Sequence, residues 1–109
     1  MKRFYTRFLA CSGSFILGIM LTASACAQSG AADLYKTKCA SCHGADGVGN
    51  TPVGKKLGVR DFHSPAVVKE SDTELFDITK NGKEKMPAYD KKLTDDQIKD
   101  LVKYLRGLK

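Results

Sequence analysis

The stretch Cys39-Ala40-Ser41-Cys42-His43 decides how this chain is read. It has the form C-x-x-C-H, the attachment pattern of a c-type haem. Two thiols three positions apart can each form a thioether to one of the two haem vinyl groups. The histidine directly after them can offer a ring nitrogen to the iron as proximal axial ligand. Two other chemistries use C-x-x-C. A thioredoxin-like redox pair needs a βαβ setting, which the flanking sequence lacks. A zinc site needs a second Cys/His pair at ligand spacing. The remaining cysteines, Cys11 and Cys26, fall in a segment laid out like a targeting signal, and the one other histidine is His63.

Upstream of the motif, residues 1–27 read as a cleaved secretory signal. Lys2, Arg3 and Arg7 make a positive start, an apolar run extends from Phe8 to Leu21, and Ala23-Ser24-Ala25 and Ala25-Cys26-Ala27 are two A-x-A cleavage candidates. The run contains Ser12, Gly13 and Ser14 and is shorter than the roughly 20 apolar residues of a membrane span. Ala23-Ser24-Ala25-Cys26 also resembles a bacterial lipoprotein box, although Ala23 stands where Leu is usual. Cleavage after Ala27 is favoured over lipidation at Cys26, and the membrane enters only in the second case. The expected organisation is a signal peptide at 1–27 and one domain at 28–109.

Removing residues 1–27 from the 109-residue chain leaves 82, with 15 basic against 12 acidic side chains, a net charge of about +3. A domain of that size buries little apolar surface and often needs a staple; one covalent haem would serve. Lysines and acids are interleaved with no basic block, which argues against nucleic acid.

Ala31 to Cys42 reads as a helix, with Ala31, Leu34, Tyr35, Lys38 and Cys39 recurring at helical steps. The glycines at 44, 47, 49, 54 and 58, with Pro52, predict a loop without regular structure. Gly49 to Lys55 matches G-x-x-x-x-G-K, the start of a phosphate-binding loop. Lys56 occupies the position that should carry Ser or Thr, and no apolar strand leads in, so nucleotide binding is set aside. Ser71-Asp72-Thr73-Glu74 and Thr94-Asp95-Asp96-Gln97 are capping boxes, the second with a Leu93–Ile98 staple. The first opens a short helix ended by Asn81-Gly82. The second opens an amphipathic helix with Ile98, Leu101, Leu105 and Leu108 on one face, ending near Gly107.

A haem iron needs a second axial partner or an open face. Met1 and Met20 leave with the leader, so Met86 remains, in Lys85-Met86-Pro87-Ala88-Tyr89. Pro87 forces an extended entry at Met86. A thioether favours ferrous iron, and His/Met ligation raises the potential. His63, in a polar stretch, reads as a surface histidine rather than a second imidazole ligand.

Together Cys39-Ala-Ser-Cys42-His43-Gly44, the glycine loop, Asn81-Gly82, Met86-Pro87-Ala88-Tyr89 and Leu101-Val-Lys-Tyr104-Leu105 resemble a small bacterial class I c-type cytochrome, nearest the cytochrome c6/c553-like branch. The resemblance covers nearly all of residues 28–109. It implies the all-α cytochrome c fold, three to four short helices wrapped around one covalent haem c, with the first and last helices crossing and Ala31 or Ala32 against Tyr104. It implies that the Pro52 carbonyl accepts from the second ring nitrogen of His43, orienting the ring. Some relatives use a tryptophan near a propionate; this chain has none, and Phe62 or Tyr89 would line that region.

The expectation is a periplasmic one-electron carrier, not an enzyme, with Cys39 and Cys42 as thioether sites and His43 and Met86 as iron ligands. Its partners would be redox proteins with acidic docking surfaces, met by Lys55, Lys56, Lys83, Lys85, Lys91 and Lys92 if these ring the haem edge; the other reading of these lysines is a solvated face. The alternative function is a haem subunit, or a ligand-binding or peroxidase-type module, of a larger respiratory enzyme.

Overall fold

A computed structural model of the chain describes residues 24–109. The leader's basic start and apolar run lie outside the described residues. Six helices follow in order: α1 (Ser24–Lys38), α2 (Ala40–His43), α3 (Pro52–Leu57), α4 (Pro65–Val68), α5 (Asp72–Asn81) and α6 (Asp95–Arg106). Among the described residues there is no strand, only an isolated bridge between Lys83 and Met86.

Both capping boxes form as the sequence predicts. The Ser71 hydroxyl accepts from the Glu74 amide while the Glu74 carboxylate accepts from the Ser71 amide, and Thr94 and Gln97 do the same for α6. Each pair satisfies donors that a helix start leaves without partners. Leu93 and Ile98 share one core cluster with Tyr35 and Leu101. Val67, Leu75 and Val102 form a second cluster.

Three expectations are corrected. The helix predicted over Ala31–Cys42 is broken: α1 stops at Lys38, and the Cys42 and His43 amides turn back onto the Cys39 carbonyl at 3.2 and 2.9 Å. The glycine-rich stretch is not all loop. Thr51 caps α3 by accepting from the Gly54 amide, Pro52 takes the first turn, and Gly58, with φ +68°, ends it. Proline has no amide to lose in a first turn, so its presence there starts the helix instead of forbidding it. The helix count among the described residues is six rather than three to four, because α2, α3 and α4 have only four, six and four residues, too few for an apolar period to reveal.

Helix α6 packs on both α1 and α5, so the expected crossing of first and last long helices is present. Ala31 is the buried member of the Ala31/Ala32 pair, and the Tyr104 ring meets Tyr35 at 5.3 Å between centroids. Arg106 ties the far side together, donating to Asp72 Oδ1 (3.1 Å), the Val67 carbonyl (3.3 Å) and the Glu70 carbonyl. Between these packed elements lies a cleft.

Candidate haem site

The cleft encloses about 360 Å³, and Cys39, Cys42, His43 and Met86 all line it. Around them stand Leu57, Val59, Phe62, Val67, Leu75, Ile78, Leu101 and Leu105, an apolar wall of the kind a flat macrocycle requires.

The wall that carries C-x-x-C-H is held by hydrogen bonds that the sequence does not advertise. The buried Tyr35 hydroxyl donates to the Gly44 carbonyl at 2.7 Å. The Thr51 hydroxyl donates to the Cys42 carbonyl at 3.0 Å while it caps α3. Gly54 lies so close to the Cys42 and Gly49 carbonyls that a Cβ has no room. The G-x-x-x-x-G-K match is therefore a packing element: its second glycine lets α3 press against the haem-binding turn.

Burial, and then the positive charge of Arg60, hold the His43 pKa below its ordinary value. The neutral imidazole that results is the form that binds a metal. Phe62 stacks on the His43 ring, with centroids 4.6 Å apart and planes 25° from parallel. Burial also pushes the Cys39 thiol up to about 11, so it stays protonated at neutral pH.

The expected bond from His43 to Pro52 is not made: His43 Nδ1 is buried and has no hydrogen-bond partner. Pro52 is the first residue of α3, and a carbonyl in a first helical turn is directed along the axis to the amide four residues on. A buried imidazole, two thiols, a thioether and an apolar wall in one cleft make a donor set that fits haem iron. Among the described residues no group of three or more His, Cys, Asp and Glu side chains could hold a metal ion.

The opposite wall comes from the segment between α5 and α6. Lys83 and Met86 exchange backbone bonds of 3.2 and 2.9 Å around Glu84, the one non-glycine at positive φ (54°) among the described residues. Gly82, at φ +77°, starts this turn, and a Cβ there would strike the Met86 carbonyl. Phe62 and Tyr89 both line the cleft. His63 is exposed and is no part of the wall; its Nε2 lies 2.9 Å from the Asp46 carbonyl. Of the six lysines named above, Lys83 and Lys85 border the cleft and the other four do not.

The family described as cytochrome c oxidase, cbb3-type, subunit III matches residues 27–105, and the chain belongs to that family of c-type cytochromes. Cytochrome c6 of Thermostichus vulcanus is 29% identical over 102 residues, covering 91% of this chain and 88% of the relative. The cytochrome bc1 complex cytochrome c subunit of Corynebacterium diphtheriae is 28% identical over 78 residues, 71% of this chain; the match spans only 26% of that longer protein. The solved KustC0563 c-type cytochrome superposes with a TM-score of 0.66 at 36% identity, covering 72% of this chain and 96% of the other. The fold is that of c-type cytochromes, the cofactor is a covalently bound haem c with its iron, and the class is that of electron-carrying cytochromes.

Proposed function

We propose that this chain is a one-electron carrier of the periplasmic side, with thioethers at Cys39 and Cys42 and axial ligation by His43 and Met86. The observation that supports this is the common cleft, lined by Cys39, Cys42, His43 and Met86 together. The haem supplies the one-electron ferric/ferrous couple. The chain's own residues supply the rest. Cys39 and Cys42 fix the ring in place, the neutral His43 donates a nitrogen, and Met86 closes the distal face with a soft sulfur that favours the reduced state. With both faces filled, little has to move when the electron arrives. Leu57, Val59, Leu75, Leu101 and Leu105 give the cleft an apolar lining, and a distal face closed by Met86 would leave no open position of the kind a peroxidase needs.

Residues 1–27 act as the export signal and 28–109 as the haem domain; attachment through a lipid on Cys26 is the variant of this reading that adds a membrane tether. Among the described residues no helix is long and apolar enough to cross a membrane. Lys83 and Lys85, beside the cleft, would steer an acidic redox partner towards the haem edge. A second reading, a haem subunit of a respiratory complex, is favoured by one observation: the Corynebacterium relative is named as a subunit of the bc1 complex.

The test is an optical spectrum of the purified native protein. Haem should stay with the chain through acid-acetone extraction, and the ferrous form should take up carbon monoxide only slowly at neutral pH. Rapid carbon monoxide uptake would replace the carrier with a ligand-binding or peroxidase-type protein. Isolation only as part of a larger assembly would favour the subunit reading.

A further inference from the structure

The Met86 segment has little to hold it. Lys83, Glu84, Lys85, Pro87 and Ala88 are exposed, and Met86 itself is bonded through its backbone only to Lys83, inside the same turn. Tyr89 is different. Its amide donates to the Thr79 and Lys80 carbonyls at 3.2 and 3.1 Å, and its carbonyl accepts from the Lys92 and Leu93 amides at 3.0 and 2.9 Å. Its hydroxyl donates at 3.1 Å to the Lys38 carbonyl, 51 residues back in the chain. Among the described residues this is the only hydrogen bond that joins residues 82–90 to the wall carrying Cys39, Cys42 and His43.

The acceptor is available for a structural reason. Lys38 is the last residue of α1, and the amide that would bond its carbonyl in a continuing helix is that of Cys42. The break at Cys39 diverts that amide to the Cys39 carbonyl. The carbonyl left over at the helix end needs a partner, and Tyr89 brings one from across the cleft.

We infer that Tyr89 is a positioning residue for the distal ligand, its hydroxyl strutting the Met86 segment against the end of α1 and so fixing how far the sulfur stands from the opposite wall. This rests on Met86 being the iron's sulfur ligand. The strut holds the loop closed. Without it, thermal opening of the segment is easier, and a small molecule competes better for the distal face, while the thioethers and His43 are unaffected.

The holoprotein Tyr89→Phe tests this, since it removes the hydroxyl and keeps the ring. Ser71→Ala, which removes a cap away from the cleft, serves as the control for general destabilisation. Two readouts are taken: the rate of carbon monoxide binding to ferrous protein, and the temperature at which the weak ferric absorption band of iron–sulfur ligation is lost. Tyr89→Phe should bind carbon monoxide about five- to tenfold faster than wild type, the factor one net hydrogen bond supplies. It should also lose the sulfur band at a lower temperature than Ser71→Ala, even where the two variants unfold globally at similar temperatures. Equal behaviour of the two variants would overturn the inference and leave Tyr89 an ordinary packing residue. Absence of the sulfur band in wild type would overturn the Met86 assignment itself, and the strut's role with it.

Discussion

At the scale of single residues, the two walls of the cleft are built on different chemistry and fail in different ways. Met86 is the one methionine of residues 28–109 and lines the cleft, whereas His63 is exposed and bonded elsewhere. Met86→Ala should therefore open the distal face: carbon monoxide should bind the ferrous form, and the potential should fall by something on the order of 0.1 V, a fraction of the ~0.8 V over which axial ligands act. His63→Ala should leave the spectrum unchanged, and a lost sulfur signature in that variant would exchange the two roles. Gly54 contributes by absence. Its backbone conformation is one any residue can adopt, and the constraint is the Cys42 carbonyl and the Thr51 hydroxyl standing where a Cβ would go. Gly54→Ala should cost about 1–3 kcal/mol, the usual penalty of forcing atoms into a filled site, read as a lowered denaturation midpoint of the holoprotein. Gly58→Ala should show a backbone penalty of another kind, because the residue sits at φ +68° with open space around it.

At the scale of elements, legibility followed whether a helix announces itself through side chains or through its neighbours. Helix α6 combines a capping box with an apolar face and could be drawn from the sequence to within a residue; α5 was nearly as plain. Helix α3 was missed because its glycines and proline were read as breakers, although Thr51 before it, Pro52 in its first turn and Gly58 after it form a capping pattern. That Cys39, Cys42, His43 and Met86 line one cleft could be expected from the sequence, because three of them sit in a contiguous motif and one methionine was left. The supports could not. Tyr35 to Gly44, Thr51 to Cys42 and Tyr89 to Lys38 are side chain-to-carbonyl bonds spanning 9, 9 and 51 residues, and such partners leave no periodicity. The Pro52 bond was the reverse error, an expectation taken from resemblance that the start of α3 displaced. The α5 capping box carries a pH signature. The Ser71 amide, and then its hydroxyl, hold the Glu74 carboxyl below the usual carboxylate range. A depressed folded pKa contributes stability above the unfolded carboxyl pKa of about 4.3 and loses it as pH falls through the folded value. Wild type should therefore be more stable than Glu74→Gln at neutral pH, with the gap closing on acidification below about pH 4. Thermal midpoints across that range would measure it, and a gap independent of pH would mean the carboxylate charge is not what the cap uses.

At the scale of the whole molecule, the haem and the fold depend on each other. Among the described residues the buried apolar set is small: Ala31, Tyr35, Val67, Leu75, Leu93, Ile98, Leu101 and Val102. It is divided into two clusters, and Tyr35 and Leu101 of the first, with Val67 and Leu75 of the second, also face the cleft. The core is thus in two parts, bridged by the partly buried Phe62 and Phe76, and both parts border the haem pocket. A domain near 80 residues stands close to the size at which burial alone balances chain entropy. Removing the body that both halves pack on exposes apolar surface on each, worth about 25 cal/mol per Å², against a net stability of only about 5–15 kcal/mol for a typical domain. The capping boxes and the Arg106 clamp are local and do not bridge the pocket, so they cannot make up this loss. The double variant Cys39→Ala/Cys42→Ala should therefore yield a chain without covalent haem that has lost most of its helical circular dichroism, shows collapsed amide dispersion in NMR and unfolds without a cooperative transition. Supplying free haem should restore part of the helicity, since the pocket walls and His43 remain. A haem-free variant with dispersed amides and a sharp thermal transition would show that α1, α5 and α6 form a core of their own, with the haem seated on a finished scaffold.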